Sequence, residues 1–152
     1  MNYWFECKVS YERQADSMGM KKVSESYLVD ALSFTEAEER IIKEVRPFVS
    51  VGELDVVNIR RARIAELFLN DEAEDDRYFR AKVNFITVDE KSGSEKKTSA
   101  TMIVKSDSLP NAVTELKAQL DSQMASYEIA AVTDTQILDV FQYEAPEQGG
   151  YS

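Results

Sequence analysis

Hydrophobic and polar residues alternate along the first stretch of the chain. The odd positions from Tyr3 to Tyr11 are apolar or aromatic, and polar residues such as Glu6 and Lys8 stand between them. Residues 78–85 repeat this alternation. A period of two is typical of a β-strand that buries one face, so both segments are predicted to be strands.

Turn-forming residues follow each of these strands. The segments 13–20 and 88–95 contain aspartate, serine and glycine, which favour tight turns. Each strand should therefore be the first arm of a long hairpin. The return arms are predicted over about 23–31 and 98–105.

A helix is predicted after each hairpin. Thr35 followed by Glu38 matches a capping box, and Ser33 with Glu36 is the alternative start. Pro47 should end the first helix. Apolar residues recur at helical spacing in both segments: Ala37, Ile41, Ile42 and Val45 in the first, and Ala112, Val113, Leu116 and Leu120 in the second.

The strand that follows the first helix changes phase part-way along. Val57 and Ile59 favour one parity, whereas Ile64 and Phe68 favour the other. A bulge or turn within 60–63 would reset the pattern, so we expect a bent strand or two strands there.

The two halves of the chain resemble each other. Four segments recur in the same order roughly 74 residues further on, which is typical of an internal repeat. The predicted organisation is one domain built from a first repeat over 1–70, an acidic linker over 71–76, a second repeat over 77–143 and a flexible tail over 144–152. Pairing two hairpin–helix–strand units predicts an α+β fold, with an antiparallel sheet of six or more strands and two helices on one face.

Composition argues against an enzyme. The chain has no histidine, one cysteine and none of the common catalytic or metal-binding motifs, so we expect no catalytic residues, metal or cofactor. It also shows no signal peptide and no membrane span, and a single cysteine suits a reducing compartment, so a soluble cytoplasmic protein is predicted. The formal net charge of −10 disfavours indiscriminate binding to nucleic acid or anionic membranes.

Aromatic and basic residues nevertheless combine on the polar face of the predicted sheet. Such a face suits single-stranded nucleic acid, because bases stack on aromatic rings and cations contact phosphates. Alternatively, the aromatic rings cover a second apolar layer or a second copy of the chain, and a sheet edge or the acidic surface binds a protein partner. The candidate binding residues are Trp4, Lys8, Lys21, Lys22, Arg60, Arg61, Arg63, Tyr78, Lys82, Lys96 and Lys97.

Three segments of the sequence, residues 2–9, 33–38 and 137–141, resemble an uncharacterised family of small acidic proteins. That family is a domain of unknown function associated with gut Bacteroides-type bacteria and their phages. The resemblance implies a role in mobile-element or phage biology and supplies no catalytic residues.

Overall fold

A computed structural model describes residues 3–14 and 19–143. The chain divides into two compact units: Met1–Ala62 with Ile137–Ser152, which we call unit one, and Arg63–Gln136, which we call unit two. The elements are, in order, β1 (Tyr3–Gln14), β2 (Met20–Ala31), α1 (Phe34–Val45), a 3₁₀ turn (Arg46–Phe48), β3 (Val51–Ala62), β4 (Glu66–Phe68), β5 (Arg77–Val88), β6 (Glu95–Ser106), α2 (Leu109–Asp121), β7 (Tyr127–Asp134) and β8 (Ile137–Phe141).

Each unit contains one four-stranded sheet. The strand order is β3-β1-β2-β8 in unit one and β4-β6-β5-β7 in unit two. In both sheets the hairpin and the long third strand pair antiparallel. The short strands β8 and β4 pair parallel to β2 and β6. The α+β class is therefore confirmed, and both sheets are mixed.

The predicted single antiparallel sheet is wrong. The reason lies at the phase change after the first helix, where two strands form rather than one bent strand. β3 ends at Ala62 in the sheet of unit one, and after a short irregular stretch β4 pairs with β6 in unit two. β7 and β8 likewise belong to different sheets.

The alternation of β1 is confirmed by burial. Phe5, Cys7, Val9 and Tyr11 are buried on one face. They form the core of unit one with β2 and with one side of α1, whose buried residues are Ala37, Ile41 and Val45.

Unit two has a core of the same kind. Phe79, Ala81 and Val83 of β5 are fully buried and pack with β6. The helical spacing predicted for α2 is confirmed, because its buried residues are Ala112, Leu116 and Leu120.

Serine side chains start both helices. The Ser33 hydroxyl accepts a hydrogen bond from the Glu36 amide at 3.1 Å, so the alternative start is correct and the one at Thr35 is wrong. In α2 the Ser108 hydroxyl accepts from the Asn111 amide at 3.3 Å. α1 ends at Val45, and Pro47 lies in the following 3₁₀ turn. These caps fix the first turn of each helix.

Hairpin, helix and further strands thus occur in the same order twice along the chain. The internal duplication stays a prediction, as do the boundaries of its repeats. The predicted tail over 144–152 and residues 15–18 of the first hairpin lie outside the described residues. In the part of the chain that is described, no helix is long and apolar enough to cross a membrane.

Candidate functional site

The aromatic residues of the predicted nucleic-acid surface are not equally exposed. Trp4 is half-buried, and Tyr78 has only 5% of its surface exposed. The Tyr78 carbonyl accepts hydrogen bonds from the Thr135 hydroxyl at 2.7 Å and the Thr135 amide at 3.2 Å. Burying a large aromatic side chain is worth roughly 1.5–3 kcal/mol, which favours this placement. The expectation that Tyr78 offers an open stacking surface therefore needs correction.

The lysines of that predicted surface are all exposed. Lys97 is partly neutralised, because its ammonium lies 3.1 Å from a carboxylate oxygen of Glu128. The exposed lysines, three in each unit, are Lys8, Lys21, Lys22, Lys82, Lys96 and Lys97.

The three candidate arginines do not form one strip with Trp4. Arg60 is an ion-pair partner of Glu6, opposite it on β1, with a nitrogen–oxygen distance of 2.7 Å. Arg61 lies on the other face of the same strand, with its guanidinium carbon 3.9 Å from the ring centroid of Tyr3. Arg63 is exposed and belongs to unit two. Successive residues of a strand point to opposite faces, which separates Arg60 from Arg61.

A cleft at one side of unit one brings together residues that the sequence did not indicate. It lies between the β1–β2 hairpin, the end of α1, the 3₁₀ turn and the edge strand β8, and has a volume of about 330 Å³. That volume is at the lower end of the range for small-molecule pockets, about 300–1,000 Å³. We call this the unit-one cleft.

Glu25 organises the inner wall of the unit-one cleft. Its Oε1 accepts hydrogen bonds from the hydroxyls of Tyr11 at 2.9 Å and Tyr27 at 2.8 Å. Its Oε2 lies 3.7 Å from the Arg13 guanidinium. Burial, and then the hydrogen bond to Glu25, raises the pKa of both tyrosine hydroxyls, so they remain protonated donors.

The outer part of the cleft is aromatic and apolar. The Tyr27 and Phe141 rings stack with centroids 5.5 Å apart. Phe48, on the 3₁₀ turn, is 69% exposed, and Leu138 of β8 is 52% exposed. Two large apolar side chains therefore flank a polar interior while remaining open to solvent.

Two further carboxylates line the cleft. Glu44 of α1 accepts a hydrogen bond from the Tyr143 hydroxyl, and Asp139 stands on β8. Together with Glu25 they give the cleft three carboxylates against the single guanidinium of Arg13. The cleft is therefore acidic as well as aromatic.

A partly buried ion pair fixes the segment next to the cleft. Arg40 lies 3.4 Å from Asp30 Oδ1, and its guanidinium stacks on the Tyr143 ring at 4.1 Å. Asp30 Oδ1 also accepts from the Tyr143 amide at 2.8 Å. These contacts hold the chain beyond β8 against β2 and α1.

Glu25 carries a signal that sequence reasoning missed. It occupies a core-facing position of β2, in the same parity as Val23, Tyr27 and Val29. A charged residue at such a position must find partners, because burying an unpaired charge is costly. Such a break in the apolar pattern, with tyrosines nearby, is the signal from which a polar cluster could have been predicted.

Among residues 3–14 and 19–143, no three carboxylate or cysteine side chains cluster in a way that could hold a metal ion. Cys7 is completely buried, and burial, with a smaller contribution from Glu6, raises the pKa of its thiol to about 12.

We expect the Cys7 thiol to resist labelling in the folded protein. A buried thiol of raised pKa supplies almost no thiolate, and the thiolate is the reactive species. With a disulfide reagent at neutral pH, the native protein should react only as fast as it opens, and urea-unfolded protein should react at once. Rapid labelling without denaturant would contradict the burial of β1.

Comparison with known proteins assigns the chain to a family. The units define an α+β protein with two mixed four-stranded sheets. Residues 3–143 match the family described as domain of unknown function DUF4494, and the chain belongs to that family. No curated protein and no solved structure matches it.

Proposed function

We propose that this protein is a non-enzymatic binding module whose partner is another protein. The observation that carries the proposal is the unit-one cleft, where exposed Phe48 and Leu138 flank an interior with three carboxylates. Exposed apolar side chains beside convergent polar groups are characteristic of interaction sites. A negative cleft in a chain of net charge −10 suits a basic partner.

The absence of histidine and the burial of Cys7 support a binding role over catalysis. They remove the commonest general base and any nucleophile activated by a histidine, and they leave the one thiol out of contact with solvent. The resemblance noted in the sequence supports placing this role in mobile-element or phage biology, and the single cysteine supports a reducing compartment such as the cytoplasm.

A titration tests the protein-binding proposal. We expect a fluorescein-labelled basic peptide to bind the full chain at low ionic strength and to retain measurable affinity at about 0.15 M salt. Fluorescence anisotropy is the measurement, and an acidic peptide of the same length is the matched control. Equal affinity for both peptides, or no binding of either, would overturn the proposal.

Single-stranded nucleic-acid binding is a second candidate function. The exposure of all six candidate lysines favours it, and the burial of Tyr78 disfavours it. A labelled thymidine oligonucleotide in the same titration separates the two candidates. Binding that weakens steeply with salt, and that is lost when Lys21, Lys22, Lys96 and Lys97 are replaced by glutamine, would support this candidate.

A further inference from the structure

We infer that the unit-one cleft accepts the side chain of an arginine presented by the partner protein. This inference rests on the proposed function and assigns the chemistry of its site. Three properties of the cleft carry it: the charge and acceptor capacity of its walls, the aromatic surfaces, and the position of Arg13.

The walls can accept a cation. A carboxylate offers about four acceptor positions. Glu44 accepts one hydrogen bond, from Tyr143, and therefore retains acceptor capacity. Glu25 accepts from two tyrosines and faces Arg13. A guanidinium carries five donors in a planar fork and can engage two carboxylates at once.

The aromatic surfaces suit the rest of an arginine side chain. The guanidinium plane stacks on aromatic faces, and the aliphatic stem packs on apolar surface. The half-buried ring of Phe141, which stacks on the buried Tyr27, and the exposed ring of Phe48 offer such faces beside the carboxylates. A lysine ammonium is more strongly hydrated and lacks the flat surface, so the cleft should prefer arginine.

Arg13 shows that a guanidinium is compatible with the rim of the cleft. It lies 3.7 Å from Glu25, and 60% of its side-chain surface remains exposed. A second cation would meet its repulsion and compete with it for Glu25. Removing Arg13 should therefore strengthen binding, an effect opposite in sign to that of removing a carboxylate.

The test uses the full chain and a capped glycine–serine peptide whose only charge is that of one arginine. Matched peptides carry lysine, or the neutral isostere citrulline, at the same place. The cleft variants are Glu44→Gln, Asp139→Asn, Phe48→Ala and Arg13→Gln, and Glu38→Gln is the control, because Glu38 is exposed on α1 and does not line the cleft. Affinity is measured by anisotropy, and thermal unfolding of each variant verifies that it is folded.

We expect Glu44→Gln, Asp139→Asn and Phe48→Ala each to weaken binding about two- to fivefold, as for single ion pairs and cation–π contacts in partly exposed sites. The double variant of both carboxylates should weaken it about tenfold. Arg13→Gln should strengthen binding, Glu38→Gln should leave it within about twofold, and citrulline should abolish it.

Three outcomes would overturn the inference, and they differ in what they imply for the protein-binding proposal. If the arginine peptide binds and the cleft variants leave its affinity unchanged, the cleft is not the site, and the protein-binding proposal stands. If the single-arginine peptide fails to bind while a longer basic peptide does, the cleft lacks arginine specificity. If neither peptide binds, the proposed function fails with the inference.

Discussion

Replacing Phe79 by alanine should destabilise the protein by about 3–5 kcal/mol, the largest effect we expect from one substitution. Phe79 is completely buried on β5, in the core that unit two forms with Met102 and Leu116. Its removal loses the transfer free energy of the ring and leaves a cavity that a packed interior fills only partly. A total stability of 5–15 kcal/mol is typical, so the loss would be a large fraction.

Urea unfolding followed by circular dichroism measures this loss. Val88→Ala is the matched control, because Val88 belongs to the same strand and is 61% exposed. The control should change the free energy of unfolding by less than about 0.5 kcal/mol. Equal destabilisation by the two substitutions would show that Phe79 does not belong to the core.

Replacing Arg40 by alanine should cost about 3 kcal/mol, because it removes the cation beside a buried carboxylate. The Asp30 side chain is only 8% exposed, and Arg40 approaches both its carboxylate and its backbone carbonyl. The substitution leaves a negative charge in a poorly solvated place. It also removes the guanidinium that stacks on Tyr143.

A second substitution separates these two causes. Asp30→Asn in the Arg40→Ala background should recover part of the lost stability, because the buried side chain is then neutral and the loss of the guanidinium costs less. The measurement is a double-mutant cycle in urea. If Asp30→Asn adds to the destabilisation instead, the loss comes from packing on Tyr143 and not from the carboxylate.

The local structure could be predicted from the sequence, because local rules govern it. Alternation along β1 identified the buried residues from Phe5 to Tyr11, and apolar spacing identified the inner faces of α1 and α2. For α1, Ser33 was the alternative of two predicted starts, and the capping box at Thr35 was wrong. The phase change near Ala62 was also visible. It predicted a bent strand or two strands, and the second alternative is correct.

The pairing of the short strands could not be predicted in the same way. Which strand β4 and β8 join depends on long-range contacts, and a short apolar run gives no information about its neighbour. The parallel pairing of β8 with β2 and of β4 with β6 therefore follows from the three-dimensional structure and not from the sequence pattern. Tyr78 shows the same limit, because parity assigns it to a face and says nothing of whether that face is covered.

The unit-one cleft required three-dimensional information for a related reason. Its residues come from β1, β2, α1, the 3₁₀ turn and β8, which are far apart in the chain. Glu25 alone gave a local signal, as a charge at a core-facing position. The other carboxylates could not be distinguished by pattern from the acidic residues that the whole chain carries.

The most direct test of the central claim, that unit one binds a basic side chain in its cleft, is an NMR titration of the ¹⁵N-labelled full chain with N-acetyl-L-arginine methylamide. We expect saturable shifts of amide signals around Tyr27, Glu44 and Asp139, with signals of unit two unchanged and with no response to the citrulline analogue. Shifts spread over both units in proportion to surface charge, or equal shifts with citrulline, would contradict it.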